Sequence, residues 1–422
     1  MPQATFPKTF QILILAGISF ALCQCIGTEE SSQNQESGKI GVPGCDAPGG
    51  GVDRNPNCRN PDSGSETSNE SQSEMHFPRG GHVAVRLKSG KVLVLGGLPL
   101  GFDLEETSEI YDPTSNTWTK GPKPAINNRH WARGVLLDDG RVLIVGGATI
   151  FSSGPSYGKA LSRTEIEVYN PSNNQFELIA NSTNPRAGAS VTKLKDGRIL
   201  ILGGANGPST SMYADGEIFD PTTNQLHSIS GVMSLGRRNH NAVVMESGDV
   251  LITGGLTLNG VTSQVDLFRI TDETISSATS LSLGLADHFS ALLPSGRILL
   301  AGGWTDNVVP STSVQTYIDE SFQMLPDLPK KVFNGSAITL SDGRLVFAGG
   351  DESTNGSLRH GDIFVYDLEN DSFEMGGTLK DPRSNHSLTE LNDGSVLASG
   401  GFTSGYGWNY TNSAERFRLN EN

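Results

Sequence analysis

The chain has 422 residues, 51 glycines, 7% aromatic residues and a formal net charge of −15 at pH 7. This acidity excludes nucleic acid as a partner and argues against peripheral binding to an acidic membrane surface. The glycine content, with no helix-period apolar stripe after residue 75, predicts many short strands and turns. The length allows two or three ordinary domains unless one repeat architecture occupies most of the chain.

The N-terminal segment carries a short apolar run, QILILAGISFAL, followed by CQC. The run is too short to span a bilayer and predicts an export signal. With Leu22 three positions before it and Gln24 just before it, Cys25 resembles the lipidated cysteine of spirochaete-type bacterial lipoproteins. The resemblance implies a signal peptide over 1–24 and a lipid anchor in the outer membrane, on either the surface or the periplasmic side. An ordinary cleaved signal without lipid is the alternative.

Residues 25–74 are polar and poor in apolar side chains, as in TEESSQNQESG and PDSGSETSNESQSE. Such a segment cannot bury enough surface to fold, so we expect a disordered tether. Cys45 and Cys58 lie within it, and an exported protein is expected to join them in a disulfide that closes a small loop.

A nine-residue phrase then recurs seven times, at intervals of 47 to 57 residues. The copies are SGKVLVLGG (89–97), DGRVLIVGG (139–147), DGRILILGG (196–204), SGDVLITGG (247–255), SGRILLAGG (295–303), DGRLVFAGG (342–350) and DGSVLASGG (393–401). Self-similarity at this period indicates an array or a propeller. Each Ser-Gly or Asp-Gly pair stands between two apolar runs and predicts a tight hairpin.

A third strand and a turn follow the glycine pair, as in SEIYDPTSNTW (108–118), IEVYNPSNNQF (166–176) and GEIFDPTTNQL (216–226). The Asp-Pro or Asn-Pro step and the Asn-rich turn lead into a fourth strand. This pattern of turn, apolar strand, Gly-Gly and aromatic-Asp-Pro resembles the kelch repeat. The resemblance covers residues 75–422 and implies an all-β, seven-bladed kelch-type β-propeller with four-stranded antiparallel blades. Repeats 4 and 5 depart from it in LFRITDETI (267–275) and TYIDESFQM (316–324).

The last repeat ends at AERFRLNEN (414–422), which supplies a third strand and no fourth. The segment SQSEMHF (71–77) precedes the first repeat and is the candidate for the missing strand. We therefore expect the N-terminal segment to complete the last blade.

An arginine stands eleven positions before the turn glycine in five repeats, and an acid stands two positions before the third-strand aromatic in the same five. Repeats 5 and 6 lack both, with Leu285 and Val332 in place of the base and Gln315 and Phe364 in place of the acid. This joint loss favours structural ion pairs over a cationic ligand site. The predicted pairs are Arg79–Glu109, Arg129–Glu167, Arg186–Glu217, Arg237–Asp266 and Arg383–Glu415.

Four histidines recur eight positions before the turn glycine: His82, His240, His288 and His386. Imidazoles on separate blades do not converge to the roughly 2.1 Å that a metal requires, so we expect a structural role, no metal site and no cofactor.

The loops that follow Gly-Gly vary in length, and function on such scaffolds resides in variable loops. Aromatic side chains that suit sugar faces or a protein partner occur there. The candidate ligand-binding residues are Phe151, Tyr157, Trp304, Tyr406, Trp408 and Tyr410. Packing across the channel mouth is the alternative role.

We therefore expect an exported, lipid-anchored monomer that binds a glycan or a protein through this variable-loop face. Contact with membrane is expected only through the N-terminal lipid. The alternative is a carbohydrate-active enzyme resembling kelch-type sialic-acid mutarotases. Copper chemistry of the galactose-oxidase type needs a cysteine in the blades, and every cysteine lies at or before Cys58. A sialidase is disfavoured because its S-x-D-x-G-x-T-W box is absent. Scaffolding of an envelope complex is a third possibility.

Overall fold

Seven four-stranded antiparallel sheets follow one another in the computed structural model, which describes residues 68–97, 108–127, 129–150, 160–207, 211–353, 358–403 and 409–419. The expectation of an all-β fold built from such sheets is confirmed. No helix in these ranges is long and apolar enough to cross a membrane. The predicted signal peptide, the lipidation site Cys25, the Cys45–Cys58 disulfide and most of the predicted tether lie outside the described residues.

The first three sheets each use four strands in the order first-second-third-fourth. Sheet 1 consists of β2 (Val83–Arg86), β3 (Val92–Leu95), β4 (Glu109–Asp112) and β5 (Thr117–Lys120). Sheet 2 consists of β7 (Arg133–Leu136), β8 (Val142–Val145), β11 (Glu165–Asn170) and β12 (Gln175–Asn181). Sheet 3 consists of β13 (Ser190–Lys193), β14 (Ile199–Leu202), β17 (Gly216–Asp220) and β18 (Gln225–Ser228).

The next three sheets repeat this order, including the two whose sequences depart from the repeat pattern. Sheet 4 consists of β19 (Asn241–Val244), β20 (Val250–Thr253), β23 (Val265–Arg269) and β24 (Thr274–Ala278). Sheet 5 consists of β25 (Phe289–Leu292), β26 (Ile298–Ala301), β29 (Val314–Ile318) and β30 (Ser321–Leu325). Sheet 6 consists of β31 (Ser336–Thr339), β32 (Leu345–Asp351), β33 (Arg359–Asp367) and β34 (Ser372–Thr378).

Sheet 7 joins the two ends of the repeat region. It consists of β36 (Ser387–Glu390), β37 (Val396–Ser399), β40 (Ser413–Arg418) and, as its outer strand, β1 (Ser68–Glu74). Strand β1 pairs with β40 in antiparallel register, from Ser68 opposite Arg418 to Glu74 opposite Ser413. The predicted boundary between tether and repeats at residue 74 is therefore displaced: residues 68–74 belong to the sheet, because the backbone of β40 offers them an unpaired edge.

Short strands follow the Gly-Gly pairs or lie just before a first strand, and they pair with one another. They are β6 (Arg129–His130), β9 (Ala148–Ile150), β10 (Ala160–Ser162), β15 (Ala205–Asn206), β16 (Ser211–Met212), β21 (Leu256–Thr257), β22 (Gly260–Val261), β27 (Trp304–Thr305), β28 (Val309–Pro310), β35 (Arg383–Ser384), β38 (Phe402–Thr403) and β39 (Asn409–Tyr410). A 3₁₀ turn covers Asp306–Val308.

Apolar clusters fill the space between consecutive sheets, and sheet 7 shares one with sheet 1. The second strand of every sheet is buried along its whole length, as its apolar sequence predicts. First strands of neighbouring sheets also contact one another, including β36 with β2. The series of sheets thus closes on itself, with the first strands at its centre.

The recurring Gly-Gly pair is required by the contact between neighbouring sheets. Gly400 and Gly401 both have positive φ, at 61° and 101°. A Cβ on Gly400 would lie 2.4 Å from the carbonyl oxygen of Arg79. The N–H of Gly401 donates to that same oxygen at 2.7 Å. Only glycine combines the left-handed conformation with so close an approach of the next sheet.

Candidate functional site

The five predicted arginine–acid pairs are all present as buried contacts within single sheets. Guanidinium to carboxylate distances are 2.8 Å for Arg79–Glu109, 3.6 Å for Arg129–Glu167, 2.8 Å for Arg186–Glu217 and 2.6 Å for Arg383–Glu415, and Arg237 also pairs with Asp266. Four of these arginines donate as well to the carbonyl of the first glycine of their Gly-Gly pair. With these partners, the five arginines do not offer their charges to a ligand.

The recurring histidines are also buried between sheets. His82, His240 and His288 place Nε2 at 3.1, 2.9 and 2.8 Å from the hydroxyls of Ser399, Ser190 and Thr253. Burial lowers the pKa of His82 to about 3 and that of His288 to about 4. Burial likewise holds the pKa values of His240 and His386 well below the usual range. All four are neutral at pH 7, because burial disfavours the charged imidazolium.

Trp304 does not present its ring to solvent. Its side chain is 1% exposed, and its indole Nε1 donates to Asp287 Oδ2 at 2.9 Å. The residue after Gly-Gly turns back and pairs with Ala286, which carries the ring into the interior. A direct role in ligand contact is therefore wrong for Trp304, and it is instead a support for Asp287.

Tyr410 lies in β39 and is half-buried, with its ring centroid 4.7 Å from that of Phe402. Burial raises the pKa of its hydroxyl. The other aromatic candidates, Phe151, Tyr157, Tyr406 and Trp408, lie outside the described residues. The predicted aromatic group on the variable loops is thus represented in the structure by Tyr410 and the buried Trp304.

A set of residues that the sequence patterns did not single out lies at the centre of this same face. Each sheet contributes the residue two positions after the arginine position, just before its first strand. We call them the central residues: Gly81, Trp131, Gly188, Asn239, Asp287, Asn334 and Asn385. All seven have positive φ, between 49° and 70°. The signal available in the sequence was the frequency of Gly, Asn and Asp, the residues that most readily adopt this conformation.

Backbone hydrogen bonds join central residues of consecutive sheets. The N–H of Trp131 donates to the carbonyl of Gly81 at 3.2 Å, and that of Gly81 donates to Asn385 at 2.9 Å. The bonds Asn239 to Gly188, Asp287 to Asn239 and Asn385 to Asn334 are 2.8, 3.0 and 2.7 Å long. Central residues are therefore adjacent around the axis of the closed series, at the end from which the first strands begin, which we call the channel mouth.

Polar and aromatic side chains are held in defined positions at this mouth. Asp287 Oδ2 accepts hydrogen bonds from Asn239 Nδ2 at 2.7 Å and from Trp304 Nε1 at 2.9 Å. The indole of Trp131 lies beside Gly81, where an added Cβ would be 3.5 Å from Nε1. Trp131 is partly exposed and has φ of 54°, a conformation that costs a bulky residue energy. An exposed aromatic ring, a fixed carboxylate and several amides are the groups that orient a small polar ligand.

Comparisons with known proteins bear on the fold. No family model matches the chain. Galactose oxidase from Gibberella zeae is 25% identical over 201 residues, 43% of this chain and 28% of that protein. Alpha-scruin from Limulus polyphemus is 22% identical over 190 residues, which cover 44% of this chain and 20% of alpha-scruin. The chain thus spans less than a third of the length of these relatives.

A solved structure described as a novel fungal alcohol oxidase with catalytic diversity among the AA5 family, in complex with copper, superposes with a TM-score of 0.65. It is 16% identical in sequence, and the match covers 83% of this chain and 76% of that one. The fold is a kelch-type β-propeller. Its repeats are those that the Gly-Gly phrase predicted, and its channel mouth carries the central residues.

The propeller does not offer a donor set for copper in the parts that the structure describes. There, no three His, Cys, Asp or Glu side chains are grouped so as to hold a metal ion. Three of the recurring histidines direct Nε2 to a serine or threonine hydroxyl of a neighbouring sheet. All four cysteines precede residue 59 and lie outside the described ranges. The described residues at the channel mouth offer hydrogen-bonding groups and an aromatic ring.

Proposed function

We propose that the chain is a carbohydrate-binding, seven-bladed propeller whose ligand site is the mouth of the central channel. The observation that carries the proposal is Trp131, a partly exposed indole in a left-handed backbone conformation, on the face that also carries the carboxylate of Asp287 and the amides of the other central residues. Sugars are bound by aromatic faces combined with fixed hydrogen-bonding groups. The name of the galactose oxidase relative supports a sugar as the ligand class.

We propose that the chain is exported and attached to the outer membrane through lipid on Cys25 and the following tether, on either the surface or the periplasmic side. The export signal and the spirochaete-type cysteine context support this proposal. Labelling with radioactive palmitate in a bacterial host, with Cys25→Ala as the control, tests it. Incorporation that persists in the Cys25→Ala protein would contradict the assignment of this cysteine.

The sugar-binding proposal is tested with the purified full chain and a panel of immobilised glycans. Trp131→Gly removes the ring and keeps a residue that two other sheets already use at this position, Gly81 and Gly188. Asn224→Gly is the matched control, because it places glycine at another residue of positive φ, 54°, in an exposed outer turn of sheet 3 and away from the central residues. We expect a specific glycan to bind the wild-type chain and the control, and to bind Trp131→Gly at least about tenfold more weakly.

Binding that is unchanged in Trp131→Gly would contradict the channel mouth as the site. No binding to any sugar on the panel would contradict the proposed ligand class.

A sugar-anomerising enzyme is the second candidate function, because Asp287 places a carboxylate among the central residues. Anomerisation requires a group that can take up and return a proton at the ring oxygen or the anomeric hydroxyl. The test is the rate at which a pure anomer equilibrates, followed by NMR with the wild-type chain and with Asp287→Asn. An acceleration that Asp287→Asn abolishes would favour the enzyme over the binding protein.

A further inference from the structure

Arg133 is an exposed cation whose guanidinium forms no hydrogen bond or ion pair within the described residues. It is the first residue of β7, the innermost strand of sheet 2, and its side chain is exposed to solvent. Protein nevertheless surrounds it so densely that burial lowers the pKa of its guanidinium. Both observations hold together for a solvent-exposed side chain that the neighbouring sheets surround.

The charge of Arg133 acts across the centre of the propeller. The groups on which it acts are Asp287 of sheet 5, whose charge opposes the lowering of the Arg133 pKa, and His240 of sheet 4, whose pKa Arg133 helps to lower. Among the described residues, no hydrogen bond or ion pair holds the guanidinium. The five recurring arginines contrast with it, since each contacts a buried carboxylate.

The carboxylate that acts on Arg133 is already held by other donors. Asp287 Oδ2 accepts hydrogen bonds from Asn239 Nδ2 and Trp304 Nε1. Arg359 and Asp351 of sheet 6 pair with each other at 2.9 Å. Within the described residues, neither carboxylate forms an ion pair with Arg133.

We propose that Arg133 binds an anionic group of the ligand, a carboxylate or a sulfate ester, which enters the channel mouth beside Trp131. This inference rests on the proposed function and narrows the ligand to an acidic sugar. A planar guanidinium with no internal partner presents its N–H donors to an oxyanion in fork geometry. The enclosed position strengthens this attraction relative to an exposed arginine. The neutral ring of the sugar would then contact Trp131.

A structural role for Arg133 makes a different prediction about stability. An arginine that holds the fold through hydrogen bonds costs stability when removed, as expected for Arg186. Arg133 has no such bonds within the described ranges, so Arg133→Gln is expected to leave the melting temperature unchanged or to raise it. Loss of ligand binding without loss of stability therefore identifies a binding residue.

The test compares D-glucuronate with D-glucose, which differ in the carboxylate, and adds inorganic sulfate as an anion without a sugar. Binding to the purified full chain is followed by the indole N–H signals of its four tryptophans and by calorimetry. The variants are Arg133→Gln and, as a matched control, Arg269→Gln, which removes a half-exposed arginine from an outer part of sheet 4. We expect glucuronate to bind at least about tenfold more tightly than glucose, and Arg133→Gln alone to abolish that preference.

Each outcome separates the anion site from the proposed function. Sulfate binding that disappears only in Arg133→Gln, with neither sugar bound, would support the anion site and contradict sugar binding. Sugar binding with no preference for glucuronate, or with a preference that Arg133→Gln retains, would overturn the anion site and leave the proposed function standing. A large drop in the melting temperature of Arg133→Gln would also overturn the inference, because it would indicate a structural role.

Discussion

Arg186 Nη2 lies 2.8 Å from Glu217 Oε2, with both side chains buried in sheet 3. Arg186 also donates to the carbonyl of Gly203 at 2.9 Å. The other oxygen of Glu217 accepts the N–H of Thr183 at 2.9 Å, in the loop that enters the sheet from its neighbour. The pair therefore fixes the Gly-Gly turn and the incoming loop to one another.

We predict that Arg186→Ala lowers the free energy of unfolding by about 3–5 kcal/mol, because it leaves the carboxylate of Glu217 buried without its cation. Urea unfolding followed by circular dichroism measures the change. Arg269→Ala is the control, since an exposed arginine is expected to change stability by no more than about 0.5 kcal/mol. A loss below about 1 kcal/mol for Arg186→Ala would show that the buried pair is not what holds this loop.

Sheet 5 shows how the fold keeps the loop contact without charge. Gln315 stands at the acid position, and its Oε1 accepts the N–H of Ser282 at 3.0 Å while its Nε2 donates to the carbonyl of Leu283 at 3.0 Å. Leu285 replaces the arginine. We predict that the double change Arg186→Leu with Glu217→Gln is more stable than either single change. Additive losses in the same urea measurements would contradict this coupling.

The sequence predicted what repetition encodes, namely the hairpins, the Gly-Gly turns and the arginine–acid pairs, because each recurs in most repeats. The central residues were not predicted, because the position varies among Gly, Trp, Asn and Asp. Their shared property is a positive φ, which the sequence does not show directly. Completion of the last sheet by the N-terminal segment was predicted over residues 71–77, but the bounds of β1, Ser68–Glu74, were not, because SNESQSE has no apolar side chain. Its place is determined by the open edge of β40, which is a property of the assembled sheet and not of the segment.

We predict that removing β1 loosens sheet 7 specifically. A chain beginning at residue 75 lacks the partner of β40 and the Ser73 hydroxyl that accepts the indole N–H of Trp118 at 3.0 Å. Hydrogen exchange should become faster in Ser413–Arg418 than in Gly216–Asp220, the equivalent strand of sheet 3. A chain beginning at residue 68 is the control and should match the longer chain. Equal protection of β40 in both truncated chains would contradict closure by β1.

The buried histidines predict that stability falls in mild acid. The pKa values of His82 and His288 lie at about 3 and about 4 in the folded chain, below the usual 6.5, so the unfolded chain binds more protons. The contribution of these neutral histidines to the free energy of unfolding is therefore complete above pH 6.5. It is lost as the pH falls from there towards 4 for His288 and towards 3 for His82. At pH 5 each of these two histidines lowers the free energy of unfolding by roughly 2 kcal/mol.

Urea unfolding at pH 7 and pH 5 measures this effect. His288→Gln should reduce the difference in the free energy of unfolding between the two pH values. The same acid sensitivity in His288→Gln as in the wild type would contradict the buried, neutral state of His288.

We expect Trp131 to lower the free energy of unfolding, because its backbone conformation at the channel mouth is unfavourable for a bulky residue. A bulky residue at φ of 54° is strained by about 1 kcal/mol, and glycine at this position is not. The contact between the rings of Trp131 and His130, whose centroids are 4.3 Å apart, offsets part of that strain.

We predict that Trp131→Gly leaves the free energy of unfolding unchanged or raises it by up to about 1 kcal/mol. Asn385→Gly, at φ of 52°, should show no gain, because asparagine tolerates this conformation. A loss above about 2 kcal/mol in urea unfolding of Trp131→Gly would mean that the indole is part of the core and not a group held out for a ligand.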